Sequence, residues 1–99
     1  MREEKPKGTK CLGINGLLKE GDDLTGNIAD KNVLDAAIIA SAQAVEHYEI
    51  TRYGTLVSWG ELLDLPDVVK LLSVTLKEEH GADAKLTKLA EGKLNKQAA

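Results

Sequence analysis

The sequence predicts an all-α fold: a long antiparallel helical hairpin preceded by a short N-terminal helix. Three observations point there. Apolar residues recur with a helical period over two long segments, Asp30–Ser58 and Asp67–Glu91. Gly60 and Pro66 bracket a break between them. The core must be aliphatic, because the chain has no Phe, one Trp and two Tyr, and Leu, Ile, Val and Ala suit helix-on-helix packing better than a sheet. Ninety-nine residues make one small domain, able to bury roughly 65% of its unfolded surface.

Residues 1–9 are charged, contain Pro6 and Gly8 and lack an apolar period, which predicts a flexible arm before a helical domain over residues 10–99. Over Lys10–Asp22 the side chains of Cys11, Ile14, Leu17 and Leu18 share one face of a short helix. Gly13, Gly16 and Gly21 weaken that helix by about 1 kcal/mol each, so it depends on packing against the long helices. Gly21–Gly26 reads as a loop, and Asp30 as the N-cap of the first long helix. Gly54 sits inside that helix at a cost unless something packs against it. Ser58–Leu65 closes the hairpin, centred on Glu61–Asp64. Pro66 fits the first turn of the next helix, where its missing N–H has no partner to lose. Gly92 is placed to cap the second long helix, with Lys93–Ala99 fraying beyond it.

The net charge is −3, with acids and bases mixed along the chain and no basic stripe, so nucleic-acid binding is not expected. The longest apolar run, Ala36–Ala40, is far too short to span a bilayer, and no N-terminal apolar run resembles a signal peptide. Cys11 is the only cysteine and reads as a small buried hydrophobe. Together these features predict a cytoplasmic protein.

Acids interrupt both apolar stripes. The first stripe runs Ile39, Ala42, Glu46, Glu49, Ile50, Tyr53, Leu56. The second runs Val68, Leu72, Thr75, Leu76, Glu79, Asp83, Leu86, Leu89. Glu46 and Glu79 lie about equally far from the turn, so the hairpin brings them to one level. Carboxylates on a core face must be paired, hydrogen-bonded or metal-bound. A divalent cation is the simplest remedy for four at one level, and oxygen donors favour iron, manganese or magnesium over zinc. A structural alternative stands beside it: Glu46 and Glu79 as rim residues of a loose bundle, or paired with Arg52 and Lys85 across an oligomer interface. His47 and His80 each follow a stripe acid directly, about 100° round the helix, and so read as flank residues rather than ligands. Gln43, one turn before Glu46, faces Asp83 across the hairpin and is placed to hydrogen-bond it.

The run from Val33 to Thr55, with the motif Gln43-x-x-Glu46-His47-Tyr48-Glu49, resembles the third long helix of the YciE/YciF group of ferritin-like stress proteins. Leu71–Leu89 resembles the fourth, and Lys10–Gly21 the cysteine-bearing connecting helix between the two halves. The similarity covers about residues 5 to 92. It implies a ferritin-like four-helix bundle with a carboxylate-bridged di-metal site binding iron or manganese. Glu46 and Glu79 would be the central carboxylates, with Glu49 and Asp83 as supporting or terminal ligands. The family is described loosely as acting in stress response, with no settled enzymatic activity; a di-iron oxidase or peroxide-scavenging role is the activity such a site would suit. Family members carry two more helices before the cysteine-bearing one. Here only half a bundle is expected, and a homodimer would rebuild the four-helix bundle. The alternative is a metal-free helical oligomerisation module whose acids make interchain hydrogen bonds.

Overall fold

The computed structural model describes residues 7–94. It is all-helical: α1 spans Leu12–Thr25, α2 Lys31–Leu62 and α3 Pro66–Leu89, followed by a π-helical turn over Ala90–Leu94. Residues 1–6 of the expected arm and 95–99 of the expected frayed tail lie outside the described residues; Lys7–Cys11 have no regular structure.

Asp30 caps α2 as its chemistry predicts, accepting from the backbone N–H of Asn32 at 2.9 Å and of Val33 at 3.2 Å. Pro66 occupies the first turn of α3. The hairpin turn is tighter than expected, because α2 runs on through Ser58–Leu62. Gly60 does not break the helix. It is buried, and a Cβ there would lie 3.0 Å from Val69 Cγ2, so the missing side chain lets α3 start hard against the end of α2. Asp64 supplies the left-handed residue, at φ 54°. The N–H of Leu65 bonds the Gly60 carbonyl and that of Asp64 the Glu61 carbonyl, the pairing of a Schellman motif.

α1 also exceeds its expected range, continuing through the predicted loop to Thr25. Gly21 rests against Ser41 of α2, where a Cβ would lie 3.4 Å from the serine Cβ. At the other end Gly13 has Tyr48 pressed against it; any side chain there would overlap the phenol. Gly92 does not cap α3. Ala90 caps it through its N–H on the carbonyls of Leu86 and Thr87, and Gly92 lies within the wider turn that follows. Gly54 has open space where a Cβ would be, so its cost is not offset within this chain.

α2 packs between α1 and α3, and the three helices form a slab 52 × 26 × 15 Å. Its thinnest dimension is little more than one helix diameter of about 10–12 Å. The radius of gyration, 17.0 Å, exceeds the roughly 13 Å of a compact domain of this length. The chain exposes 7784 Å², against about 5,500 Å² for a compact protein of its mass. Stable domains set at least two layers of secondary structure around a core; here there is one. Among the described residues only Gly60 and Ala90 are buried, and no large apolar side chain is. Stripe positions Leu56, Val68 and Leu89 remain 41%, 41% and 53% exposed. No described helix is long and apolar enough to cross a membrane.

Candidate metal centre

The hairpin sets polar side chains from α2 and α3 against one another in two groups. The first group is closed. Gln43 Nε2 donates to Asp83 Oδ1 at 3.3 Å and to Thr87 Oγ1 at 2.8 Å. His47 Nε2 lies 2.7 Å from the same Asp83 oxygen. His47 is four residues after Gln43 and Thr87 four after Asp83, so each pair lines one edge of its helix. The bond from Gln43 to Asp83 is the one the hairpin register predicts. The grips of His47 and Thr87 were not anticipated, although both follow from carrying the same one-turn step further.

The second group is open. Glu46 and Glu49 on α2 and Glu79 on α3 each present a carboxylate oxygen, and these lie within 4.8 Å of one another. All three residues are half-buried. Asp83, the fourth acid expected at this level, stands outside the cluster in the grip of Gln43 and His47. His80 is exposed and takes no place in either group.

Three carboxylates at this separation are not at rest as bare anions. The Glu79 carboxyl is pushed above the usual carboxylate range, chiefly because a proton on it makes a hydrogen bond to Glu46, and further by loss of hydration. Loss of hydration pushes Glu49 up as well, helped by its hydrogen bond with Glu79. Without that proton the oxygens can only accept, and each contact repels. Glu46 Oε2 is wholly buried and has no hydrogen-bond partner among the described residues. A buried acceptor left this way costs about 1–3 kcal/mol, more when charged. The orphaned oxygen, at the meeting point of three acids, fits a hard divalent cation, and the all-oxygen donors suit iron, manganese or magnesium.

A third contact lies where α1 meets α2. The phenol oxygen of Tyr48 sits 3.5 Å from Cys11 Sγ, and the Arg52 guanidinium lies over the Tyr48 ring, 5.0 Å from its centre. Cys11 is exposed rather than buried as expected. It occupies the N-cap position of α1, outside the packed face of that helix. The backbone N–H of Ile14 and then the Tyr48 hydroxyl hold its thiol below the ordinary value.

Comparison with known proteins agrees with this helical arrangement. Residues 1–99 match the family described as "Domain of unknown function (DUF892)". Protein YciF of Escherichia coli (strain K12) is 46% identical over 94 residues, which is 95% of this chain and 57% of YciF. A solved chain from Rhodopseudomonas palustris called YcfI, described as a proposed structural protein, is 56% identical and superposes with a TM-score of 0.82. That match covers 86% of this chain and 54% of YcfI. The chain thus spans about half the length of the relatives it matches.

Proposed function

The chain belongs to the DUF892 family and is YciF-like, and from that premise we propose that it is a ferritin-like carboxylate protein binding iron or manganese. The ions would sit within a helical bundle formed by two chains, in the service of a stress response. Glu46, Glu49 and Glu79 would hold the metal. The observation that carries this reading is the buried, unpartnered Glu46 Oε2 beside two other carboxylates. Bound iron or manganese would supply Lewis acidity and one-electron redox chemistry. The chain's own residues do the rest. Glu79 reaches Glu46 and Glu49 from the other helix, and Glu46 offers the buried oxygen. Gln43 and His47 fix Asp83 one turn away and so hold the α2–α3 register from which the three acids project.

The test is metal uptake by the purified chain, measured by titration calorimetry with Mn(II) and by elemental analysis after anaerobic Fe(II) loading. Glu46→Ala or Glu79→Ala should abolish uptake. Wild-type stoichiometry in either variant would put the site elsewhere.

A second reading keeps the fold and drops the metal. Protons shared among Glu46, Glu49 and Glu79 would satisfy the layer, and the chain would serve as a helical oligomerisation module. The raised pKa of Glu49 and Glu79 and the description of YcfI as a proposed structural protein favour it. A chelator separates the readings: it lowers the melting temperature only if a native-state ligand is being removed.

A further inference from the structure

The end of the hairpin carries apolar surface that the packing of the slab does not use. α2 has 32 residues, about 48 Å at 1.5 Å per residue, and so runs nearly the whole 52 Å length of the slab. Its last turn and the turn into α3 therefore form one end of the molecule, well away from the acid layer. At that end Trp59, Leu62 and Leu63 stand 57%, 83% and 69% exposed. The two leucines follow Trp59 by three and four residues, so the three side chains are neighbours on the last turn of the helix. Trp59 is the only Trp of the chain. An exposed group of one large aromatic and two aliphatic side chains is the kind of surface on which a partner anchors.

Charge decides the kind of partner. From Trp59 to Val69 the chain holds Glu61, Asp64 and Asp67 and no base. These three charges equal the net charge of the whole chain, −3, so the rest of the sequence balances and the imbalance belongs to this end. All three acids are exposed. Beside them lies a shallow cleft of about 340 Å³, lined by Leu65, Pro66 and Val69 together with Glu61 and Asp64. Lys70 lines it too, one base against two acids. Apolar lining with acids beside it fits a lysine or arginine side chain, which lays its methylene stem on apolar surface and offers its charged head to a carboxylate. A second copy of this end would bring the same three acids against the first, and an anionic lipid surface would meet them as well; both are repelled.

We infer that the hairpin end is a docking surface for a basic amphipathic segment of another protein. Its apolar side chains seat on Trp59, Leu62 and Leu63, and its lysines or arginines face Glu61, Asp64 and Asp67. The inference is independent of the metal reading, since it uses none of the same residues.

Trp59 is its own reporter, because all tryptophan emission of the chain comes from this end. The experiment titrates the full chain with a synthetic peptide of about 14 residues, Leu on one helical face and Lys on the other, and follows that emission. The expected result is a saturable blue shift that weakens as salt is raised, with no shift from the matching Leu–Glu peptide. E61Q/D64N/D67N should bind the Leu–Lys peptide about tenfold more weakly or worse. Asn at position 64 tolerates the left-handed backbone there, φ 54°. Leu62→Ser with Leu63→Ser, both at exposed positions, should lose the shift with an unchanged helical circular dichroism spectrum. No response to the Leu–Lys peptide, or an equal response to the Leu–Glu peptide, overturns the inference. Wild-type binding by E61Q/D64N/D67N seats the peptide on other acids and overturns it too. A larger shift with phosphatidylglycerol vesicles makes this end a membrane contact instead. A shift that depends on the concentration of the chain alone makes it a contact between copies; either result overturns docking of a basic segment.

Discussion

The two polar groups of the hairpin use the same helices, the same spacing and the same kind of acid, yet one is finished and the other is not. Asp83 is surrounded by donors: an amide at 3.3 Å and an imidazole at 2.7 Å share its oxygen. Glu46, Glu49 and Glu79 are surrounded by each other, and one of their oxygens is buried with nothing to accept from. The difference lies in the company kept and not in the depth of burial, since all four residues are half-buried. A carboxylate among donors locks two helices together. A carboxylate among carboxylates stores a demand for a proton or a cation.

The sharpest way to break this comparison is to supply the cation. A metal bound only by the native state, at a hundredfold excess over its Kd, adds about 2.7 kcal/mol. For a chain of this size that raises the melting temperature by roughly 10–20 °C, and EDTA should reverse it in a calorimetric scan. If Mn(II) and EDTA scans coincide, the open group makes no such demand.

Protons are the next lever. Glu49 and Glu79 have folded-state pKa values raised above their unfolded ones. Their protonated forms therefore favour the fold. That contribution is complete below the ordinary carboxylate pKa of about 4.3 and is lost as pH rises through the raised values. The metal-free chain should thus lose melting temperature as pH rises above about 4.3 and through the raised values, by less than metal addition restores. E49Q/E79Q should flatten that slope, which thermal melts in a pH series would reveal.

The closed group should respond differently. Gln43→Leu removes the amide from Asp83 and Thr87 and should cost about 1 kcal/mol. Asp83→Asn should weaken the His47 contact by a similar amount or less, because the imidazole is mostly exposed. Neither should alter manganese stoichiometry. A drop in metal affinity for Asp83→Asn would count Asp83 among the ligands, as its place in the stripe suggests.

The smallest effect concerns Gly54, which lies on the same side of α2 as His47 and has empty space beside it. Gly54→Ala should raise the stability of the isolated chain by about 0.5–1 kcal/mol through helix propensity. It should leave dimerisation unchanged, as read by urea melts and sedimentation.

Much of this layout is legible in the sequence. The 3.6-residue period sets the three helices, Asp30 and Pro66 mark their starts, and counting from the turn pairs Gln43 with Asp83. Helix ends were less legible. Gly60 and Gly21 look like breakers because glycine has no local reason to continue a helix; the reason is the neighbour that packs against them. The division of the four acids was not legible either. Periodicity gives the direction of a Cα–Cβ bond, not the reach of an imidazole, so His47 reads as a bystander although it claims Asp83. The Cys11–Tyr48–Arg52 contact depends on where α1 crosses α2, and that crossing is set by Gly13 and Gly21 rather than by any stripe.

The turn at Asp64 also sets an order of events. Gly60 meets Val69 only nine residues along the chain, whereas Glu46 meets Glu79 across 33 and Gln43 meets Thr87 across 44. Each contact made near the tip shortens the loop that the next must close, so the hairpin can zip outward from the turn at little added entropic cost per rung. The zipper reaches the three glutamates about halfway along α2. There, without a cation or a proton, it meets its one uphill step, and the rungs beyond it are the last to form and the first to open.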